Sequence, residues 1–158
     1  MTTQIRCLIS AGPTREWIDP VRFISNPSSG KMGYALAEEA VSRGFEVDLV
    51  SGPVSLRPPS GAEITKVESA QEMQEAMSGL FDQASLVIMT AAVCDHRPSH
   101  CSREKINKSD FPKSLELVPN NDVVASLAGG RRPGQTIVGF AAETENLLEH
   151  ARQKLKAK

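Results

Sequence analysis

Apolar residues fall along the chain in short runs that alternate with longer amphipathic stretches, a pattern typical of β-strands followed by α-helices. The apolar runs predict strands over residues 5–10, 46–51, 62–67, 84–93, 115–118 and 135–140, and the last of these is expected to be buried. The amphipathic stretches predict helices over residues 31–42, 71–81, 123–128 and 144–158. This alternation predicts an α/β fold with three α/β/α layers and a mainly parallel central sheet.

Two long polar connections interrupt this alternation and receive no predicted strand or helix. They cover residues 11–29 and 94–113. Loops of this length inside a compact domain are usually functional. They follow predicted strands, and ligands of parallel sheets bind beyond the carboxyl ends of the strands. We therefore expect the functional site where these loops meet the segment after residue 140.

The first of these loops ends in small residues just before a predicted helix. Ser28 and Ser29 are candidate N-cap residues. Gly30 would let a ligand approach the backbone, and Gly33 would let the helix pack closely on the sheet. A helix N-terminus of this kind favours a phosphate. Neither a Walker A motif nor a complete dinucleotide fingerprint is present, so an ordinary glycine-containing turn remains the alternative.

Composition narrows the class of protein. The 158 residues suggest one domain over 1–158, and 40% hydrophobic with 23% charged residues is ordinary for a globular chain. The net charge of −1 gives no global attraction for nucleic acid or an anionic membrane. Three cysteines argue against a disulfide framework. No leader or membrane-spanning run is evident, so we expect a cytoplasmic protein.

Lysines supply candidate cations at two places. Lys105 and Lys108 lie in the second polar loop, where they either form a solvated face or fold over a ligand. Lys154 and Lys158 are four residues apart and share one face of the last helix. They either complement the helix dipole or bind phosphate. Both alternatives stay open for each pair.

Other charged and soft side chains carry weaker signals. Arg15 and Arg22 either contact an anionic ligand or are solvated or paired with Glu16 and Asp19. One loop contains four residues of types that bind metals, which are Cys94, His96, His100 and Cys101. Their spacing matches no usual zinc pattern. A Cys94–His96 nucleophile pair lacks an evident third group. We expect no protein metal site here.

Several segments together resemble one family. They are Ala11-Gly12-Pro13-Thr14-Arg15-Glu16, Asp19-Pro20-Val21-Arg22-Phe23-Ile24-Ser25-Asn26, Ser28-Ser29-Gly30-Lys31-Met32-Gly33, Ser51-Gly52-Pro53-Val54, Ala91-Ala92-Val93 with Asp95, Glu104-Lys105-Ile106, and Val138-Gly139-Phe140-Ala141-Ala142-Glu143-Thr144. In this order they resemble phosphopantothenoylcysteine synthetase, the phosphopantothenate–cysteine ligase of coenzyme A biosynthesis. The resemblance runs from about residue 5 to residue 158.

The resemblance implies a Rossmann-like fold and a nucleotide-dependent ligation. In such enzymes the carboxylate of 4′-phosphopantothenate attacks the α-phosphate of the nucleotide, which is usually CTP in bacterial members. The acyl-cytidylate then reacts with the amino group of cysteine, and Mg²⁺ neutralises the triphosphate. The resemblance also implies a homodimer in the full-length form. The flavin-dependent decarboxylase often fused in front has no counterpart here, so no FMN is expected.

The resemblance assigns roles residue by residue. Asn26 matches the asparagine that holds the acyl-nucleotide, and its side-chain amide is expected to donate to a carbonyl oxygen. Lys105 matches the lysine needed to form that intermediate, and these two are the implied catalytic residues. The implied nucleotide-binding residues are Ser28, Ser29, Gly30, Ala91, Ala92, Asp95, Asn121, Asp122, Val123, Val124, Phe140, Lys154 and Lys158. No protein residue is assigned to metal.

The chain departs from the family pattern at several positions. Asn121 stands where a proline is usual, His96 where an aromatic residue is common, and Cys94 where a small residue is usual. Family members continue past Lys158, so the C-terminal part of their fold is expected to be missing. Two alternatives remain: a nucleotide-binding module without turnover, and an NAD(P)-dependent oxidoreductase. The oxidoreductase predicts an acidic residue after the second strand, where Ser51-Gly52-Pro53 offers none.

Overall fold

The computed structural model describes residues 5–142 and 144–157. Within these residues the strands are β1 (Arg6–Ala11), β2 (Arg15–Asp19), β3 (Arg22–Ser25), β4 (Glu46–Ser51), β5 (Ala62–Lys66), β6 (Leu86–Met89), β7 (His96–Pro98), β8 (Leu117–Pro119) and β9 (Thr136–Gly139). The helices are α1 (Lys31–Ser42), α2 (Ala70–Phe81), α3 (Val123–Gly129) and α4 (Leu147–Ala157). No helix in these residues is long and apolar enough to cross a membrane.

Five strands form the central sheet in the order β5-β4-β1-β6-β9, and every pair is parallel. From β1 the chain first adds β4 and β5 on one side and then returns to add β6 and β9 on the other. The strand order therefore reverses between β1 and β6. In open parallel sheets the crevice at this reversal is where ligands bind. The predicted parallel sheet is confirmed.

Helices cover both faces of the sheet, as expected. One core lies under α1 and contains Ile9 and Leu49, which are fully buried. The other core lies under α2 and α3, where Leu8 and Val87 are fully buried. Successive residues of β1 thus point into opposite cores, which explains its continuous apolar run.

The two long polar connections contain strands that the sequence did not predict. The first folds into an antiparallel hairpin, β2–β3, with Trp17 opposite Phe23. The second contributes β7, which pairs antiparallel with β8 in a separate two-stranded ribbon. The strand predicted over 115–118 therefore lies outside the central sheet. The strand predicted over 84–93 is also shorter, because β6 ends at Met89.

Helix ends show both a confirmed and a wrong prediction. The capping box at the start of α2 is confirmed: the Ser69 side chain accepts from the Glu72 amide and the Glu72 carboxylate accepts from Ser69. The prediction that Ser28 or Ser29 caps α1 is wrong. Gly30 is the N-cap residue, in the left-handed region at φ 74°, and no side chain caps the helix.

The C-terminal elements differ from their predicted form. The apolar run over 135–140 was expected to be a buried strand, but β9 is the edge of the sheet and Val138 is 39% exposed. An apolar run cannot distinguish a central strand from an edge strand. The last helix begins at Leu147 rather than at residue 144. Lys158 lies outside the described residues.

Candidate active site

The segment after β6 is held between the segment after β1 and the end of the β2–β3 hairpin. The Thr14 amide donates to the Ala92 carbonyl at 3.2 Å, and the Ala92 amide donates to the Gly12 carbonyl at 2.9 Å. The Thr14 hydroxyl accepts from the Cys94 amide at 2.9 Å. These bonds extend the pairing of β1 and β6 beyond the sheet. They place Ala91 and Ala92, both half-buried, at the reversal of strand order.

Asn26 closes this arrangement from the hairpin. Its side-chain amide donates to the carbonyls of Ala92 and Val93, each at 3.2 Å. Both hydrogens of the amide are used, so the side-chain oxygen remains the atom that can accept from a ligand. The structure thus brings together Asn26, Ala91 and Ala92, which the family resemblance assigned to one site.

Asn120 joins this segment to the start of α3. Its side-chain amide donates to the Cys94 carbonyl and its backbone amide donates to the Asp95 carbonyl, each at 2.8 Å. Asp122 then caps α3, because its carboxylate accepts from the Ala125 amide at 2.9 Å. Asp95 therefore lies beside the turn that contains Asn121 and Asp122. Both of these aspartates are exposed.

A cavity of about 510 Å³ lies between α3, the end of β9 and α4. Three predicted nucleotide-binding residues line it: Val124, Phe140 and Lys154. Phe140 is 53% exposed, which leaves its ring accessible to a planar ligand. Arg131 also lines the cavity and adds a second cation. Val123 is buried against Met77 and Leu127 in the core instead, so its side chain supports α3 rather than the cavity.

The glycine-bearing loop lies against the β1 loop. Gly12 and Gly30 both adopt φ near 75°, and a Cβ on Gly30 would come within 2.8 Å of the Val54 side chain. Gly30 is buried, Ser28 is half-buried and Ser29 is exposed. The backbone amides that open α1 have no partners within the helix. They, with Ser28 and Ser29, are the part of this loop that can meet a phosphate.

A second cavity, of about 360 Å³, opens at the carboxyl ends of β4 and β5. Tyr34, Ser51, Val54 and Lys66 are among the residues that line it. No predicted site residue lies in its lining. It lies on the other side of β1 from β6 and therefore away from the reversal of strand order.

Lys105 is exposed on the second polar loop. The next residue, Ile106, is bonded through its amide to Asp19 and through its carbonyl to Arg22. These contacts hold the loop at the turn of the β2–β3 hairpin, whereas Asn26 follows the end of β3. Asn26 lies four positions after Arg22, a span of about 13 Å in an extended strand. The structure does not bring Lys105 into contact with Asn26.

The two arginines of the hairpin region are paired with carboxylates. Arg22 contacts Asp19 at 2.5 Å and stacks on Phe111. Arg15 contacts Glu68 rather than the expected Glu16, and it stacks on Phe23. Glu16 instead accepts from the Ala70 amide at the start of α2. Of the two alternatives for these arginines, pairing describes this structure.

The cysteine and histidine cluster forms no metal site. Within residues 5–142 and 144–157 no group of three or more His, Cys, Asp or Glu side chains could hold a metal ion. Cys94 is buried, while His96, His100 and Cys101 are exposed. Burial raises the pKa of the Cys94 thiol, which keeps it protonated and unsuited to be a nucleophile.

This geometry can be compared with known proteins. The family described as DNA/pantothenate metabolism flavoprotein C-terminal domain matches residues 2–158. The chain belongs to this family. The coenzyme A biosynthesis bifunctional protein CoaBC of Bacillus subtilis (strain 168) is 51% identical over 152 residues, which are 96% of this chain and 37% of that protein. The protein of the same name from Vibrio vulnificus (strain YJ016) is 47% identical over 153 residues, which are 96% of this chain and 38% of that protein.

Solved structures share the fold of this chain. The crystal structure of the C-terminal domain of CoaBC has a TM-score of 0.85 at 48% identity, covering 97% of this chain and 72% of that one. A mutant of Cab2 in complex with phosphopantothenate-cysteine has a TM-score of 0.79 at 19% identity, covering 96% and 69%. The chain spans less than two fifths of the length of these two CoaBC relatives.

Three residues that contact the candidate site or the loop of Lys105 were not predicted from the sequence: Asn120, Arg131 and Asp19. Asn120 follows Pro119 and Arg131 follows Gly129-Gly130, so the sequence pattern indicates ordinary loop residues at both positions. Asp19 read only as a partner for an arginine. Each acquires its role from a segment far away in sequence, so local pattern gave no signal for them.

Proposed function

We propose that this domain joins 4′-phosphopantothenate and L-cysteine with CTP in coenzyme A biosynthesis. The observation that carries the proposal is the connected site at the reversal of strand order. There Asn26 braces Ala92 and Val93, and Asn120 ties Asp95 to the turn before α3. Membership of the pantothenate metabolism family supports the same conclusion.

The reaction proposed has two steps in which atoms balance. A carboxylate oxygen of 4′-phosphopantothenate attacks the α-phosphorus of CTP, and the bond to the β-phosphate breaks to release pyrophosphate. The cysteine nitrogen then attacks the acyl carbon of the acyl-cytidylate, loses a proton and releases CMP. No protein nucleophile is needed, so positioning and electrostatics carry the catalysis.

The described residues divide this work between them. Phe140 offers a ring on which the cytosine stacks, with Val124 and Lys154 beside it in the same cavity. The opening of α1 with Ser28 and Ser29 receives phosphate oxygens. Asn26 accepts from the acyl-nucleotide through its side-chain oxygen, because both of its amide hydrogens bond the backbone. This differs from the expectation that its amide donates.

Lys105 supplies a positive charge to the first step. Its side chain is exposed, and it extends from a loop anchored at the hairpin turn. An ammonium group that reaches the α-phosphate offsets the negative charge that develops there.

We propose a homodimer for the full-length protein and a cytoplasmic location.

Mg²⁺ is proposed to enter with the triphosphate. Magnesium is commonly held by one or two carboxylates, by substrate phosphates and by water. Asp95 is an exposed carboxylate at the site, and it fits this limited demand. When bound, the ion would neutralise phosphate charge.

One alternative keeps nucleotide binding without ligation. A module of that kind would bind CTP and release no pyrophosphate when 4′-phosphopantothenate is added. The oxidoreductase alternative is disfavoured by the loop after β4, where Val54 packs against the Gly12–Gly30 backbone and no acidic residue follows β4 directly.

The test is pyrophosphate release by the full-length protein. We expect release only when Mg²⁺, CTP and 4′-phosphopantothenate are all present. Lys105→Gln should abolish release and leave the fold intact, as judged by thermal unfolding. Lys113→Gln, an exposed lysine in the same loop, is the matched control and should retain it. Release by Lys105→Gln at the rate of the unmodified protein would remove Lys105 from the mechanism.

A further inference from the structure

Asp19 is the most deeply buried carboxylate of the β2–β3 hairpin, with 0% of its surface exposed. Its two oxygens accept from three donors. One oxygen accepts from the Val21 amide at 2.9 Å. The other accepts from the Ile106 amide at 3.3 Å and from the Arg22 guanidinium at 2.5 Å. A buried carboxylate is costly unless its oxygens are paired in this way.

The Asp19–Arg22 pair binds both backbone polar groups of one residue, the amide and the carbonyl of Ile106. Asp19 accepts from the Ile106 amide, and the Arg22 guanidinium donates to the Ile106 carbonyl at 3.1 Å. Arg22 also stacks on Phe111, with its guanidinium carbon 4.5 Å from the ring centroid. The loop that carries Lys105 is therefore fixed at the residue that follows the lysine.

Few other contacts hold this loop. In the part of the chain that the structure describes, no further hydrogen bond joins residues 103–111 to the hairpin. The nearest is from the Ser102 amide to the Ile18 carbonyl at 2.9 Å. The two bonds on Ile106 are therefore the hydrogen bonds to the hairpin that lie nearest to Lys105.

Charge keeps this arrangement in place at neutral pH. Burial by itself would raise the pKa of Asp19. The hydrogen bonds from the Val21 and Ile106 amides and the contact with Arg22 outweigh burial and lower the pKa. The carboxylate is therefore ionised, with each of its oxygens available as an acceptor.

We propose that Asp19 is a positioning residue for Lys105 in the ligation, acting through the Ile106 peptide. This inference rests on the proposed function of Lys105. Asp19 itself touches no substrate. It holds the backbone of the long polar loop in place beside Lys105. Less conformational entropy is therefore lost when the lysine side chain reaches the substrate.

Asp19→Asn is the most informative variant because an amide has only one oxygen, whereas both carboxylate oxygens of Asp19 accept hydrogen bonds. If the Asn oxygen accepts from the Val21 amide, its NH₂ group faces two donors, the Ile106 amide and Arg22. Asp48→Asn is the matched control. Asp48 is also a buried aspartate paired with an arginine, Arg6 at 2.7 Å, at the opposite end of the sheet from the site.

The experiment measures pyrophosphate release and amide hydrogen exchange in the full-length protein. For Asp19→Asn we expect kcat to fall about 10²-fold while KM for CTP stays unchanged, because misplacing a catalytic group acts on the chemical step. The Ile106 amide should lose its protection from exchange. Asp48→Asn should leave kcat unchanged.

Several results would overturn the inference. A folded Asp19→Asn variant with unchanged kcat would do so, as would an equal loss in Asp48→Asn. If Asp19→Asn does not fold, Ile106→Pro tests the same contact, because proline has no amide hydrogen to donate to Asp19. Full activity of Ile106→Pro would then overturn the inference. Unchanged release by Lys105→Gln would contradict the role of the lysine itself, and the inference would fall with it. Loss in Lys105→Gln but not in Asp19→Asn would overturn the inference alone.

Discussion

At the scale of single residues, the site is held together by polar side chains that bond to distant backbone. Thr14, Asn26 and Asn120 each bond the segment from Ala92 to Asp95. None of these bonds is local in sequence. Resemblance to a family could point to Asn26, but no local pattern could identify Asn120, because its partners are fixed only when β6 and α3 meet.

Glu16 gives a prediction at this scale. Burial raises its pKa, and the bond from the Ala70 amide offsets this only in part. Because the folded-state pKa is raised, the contribution of Glu16 to stability is full below its unfolded pKa and is lost as pH rises through the folded pKa. We expect the free energy of unfolding of Glu16→Gln to rise relative to that of the unmodified protein as the pH increases above the ordinary glutamate pKa of about 4.3.

Urea unfolding at several pH values measures this difference. Gln keeps an oxygen for the Ala70 amide and removes the charge that burial disfavours. A difference between Glu16→Gln and the unmodified protein that stays constant with pH would contradict the raised pKa.

At the scale of elements, the helices were easier to predict than the small strands. The capping box of α2 and the amphipathic pattern of α1 act within a few residues, so sequence alone shows them. The β2–β3 hairpin breaks the usual pattern because its buried positions include polar residues, Glu16 and Asp19. Their burial depends on partners at Ala70 and Ile106, which a hydrophobic pattern cannot show.

The close packing of α1 on the sheet gives the element-scale prediction. A Cβ on Gly33 would lie 2.5 Å from the Ala11 Cβ and 2.6 Å from the Thr90 hydroxyl oxygen. Gly33→Ala should therefore force α1 away from β1 and lower the free energy of unfolding by about 1–3 kcal/mol.

Gly79→Ala in α2 is the matched control for this overpacking. Nothing lies within 4 Å of its Cβ position, so alanine should raise the free energy of unfolding by about 0.5–1 kcal/mol through helix propensity. Chemical denaturation of the two variants gives both values. Effects of the same sign and size would show that packing against Ala11 and Thr90 is not what requires Gly33.

At the scale of the whole molecule, the order β5-β4-β1-β6-β9 determines where the proposed site lies. The sequence predicted a parallel sheet but not this order, because strand order depends on which crossovers pack, not on the composition of any strand. The reversal between β1 and β6 gathers the loops that carry Asn26, Ala92 and Asp95. The second cavity, at the ends of β4 and β5, lies away from it.

The most direct measurement is a crystal structure of the protein with CTP and Mg²⁺. We predict the cytosine in the cavity lined by Val124, Phe140 and Lys154, and the triphosphate at the opening of α1 beside Ser28 and Ser29. A nucleotide bound instead in the cavity lined by Tyr34, Ser51 and Lys66, with the Asn26 side chain far from it, would contradict the proposed site.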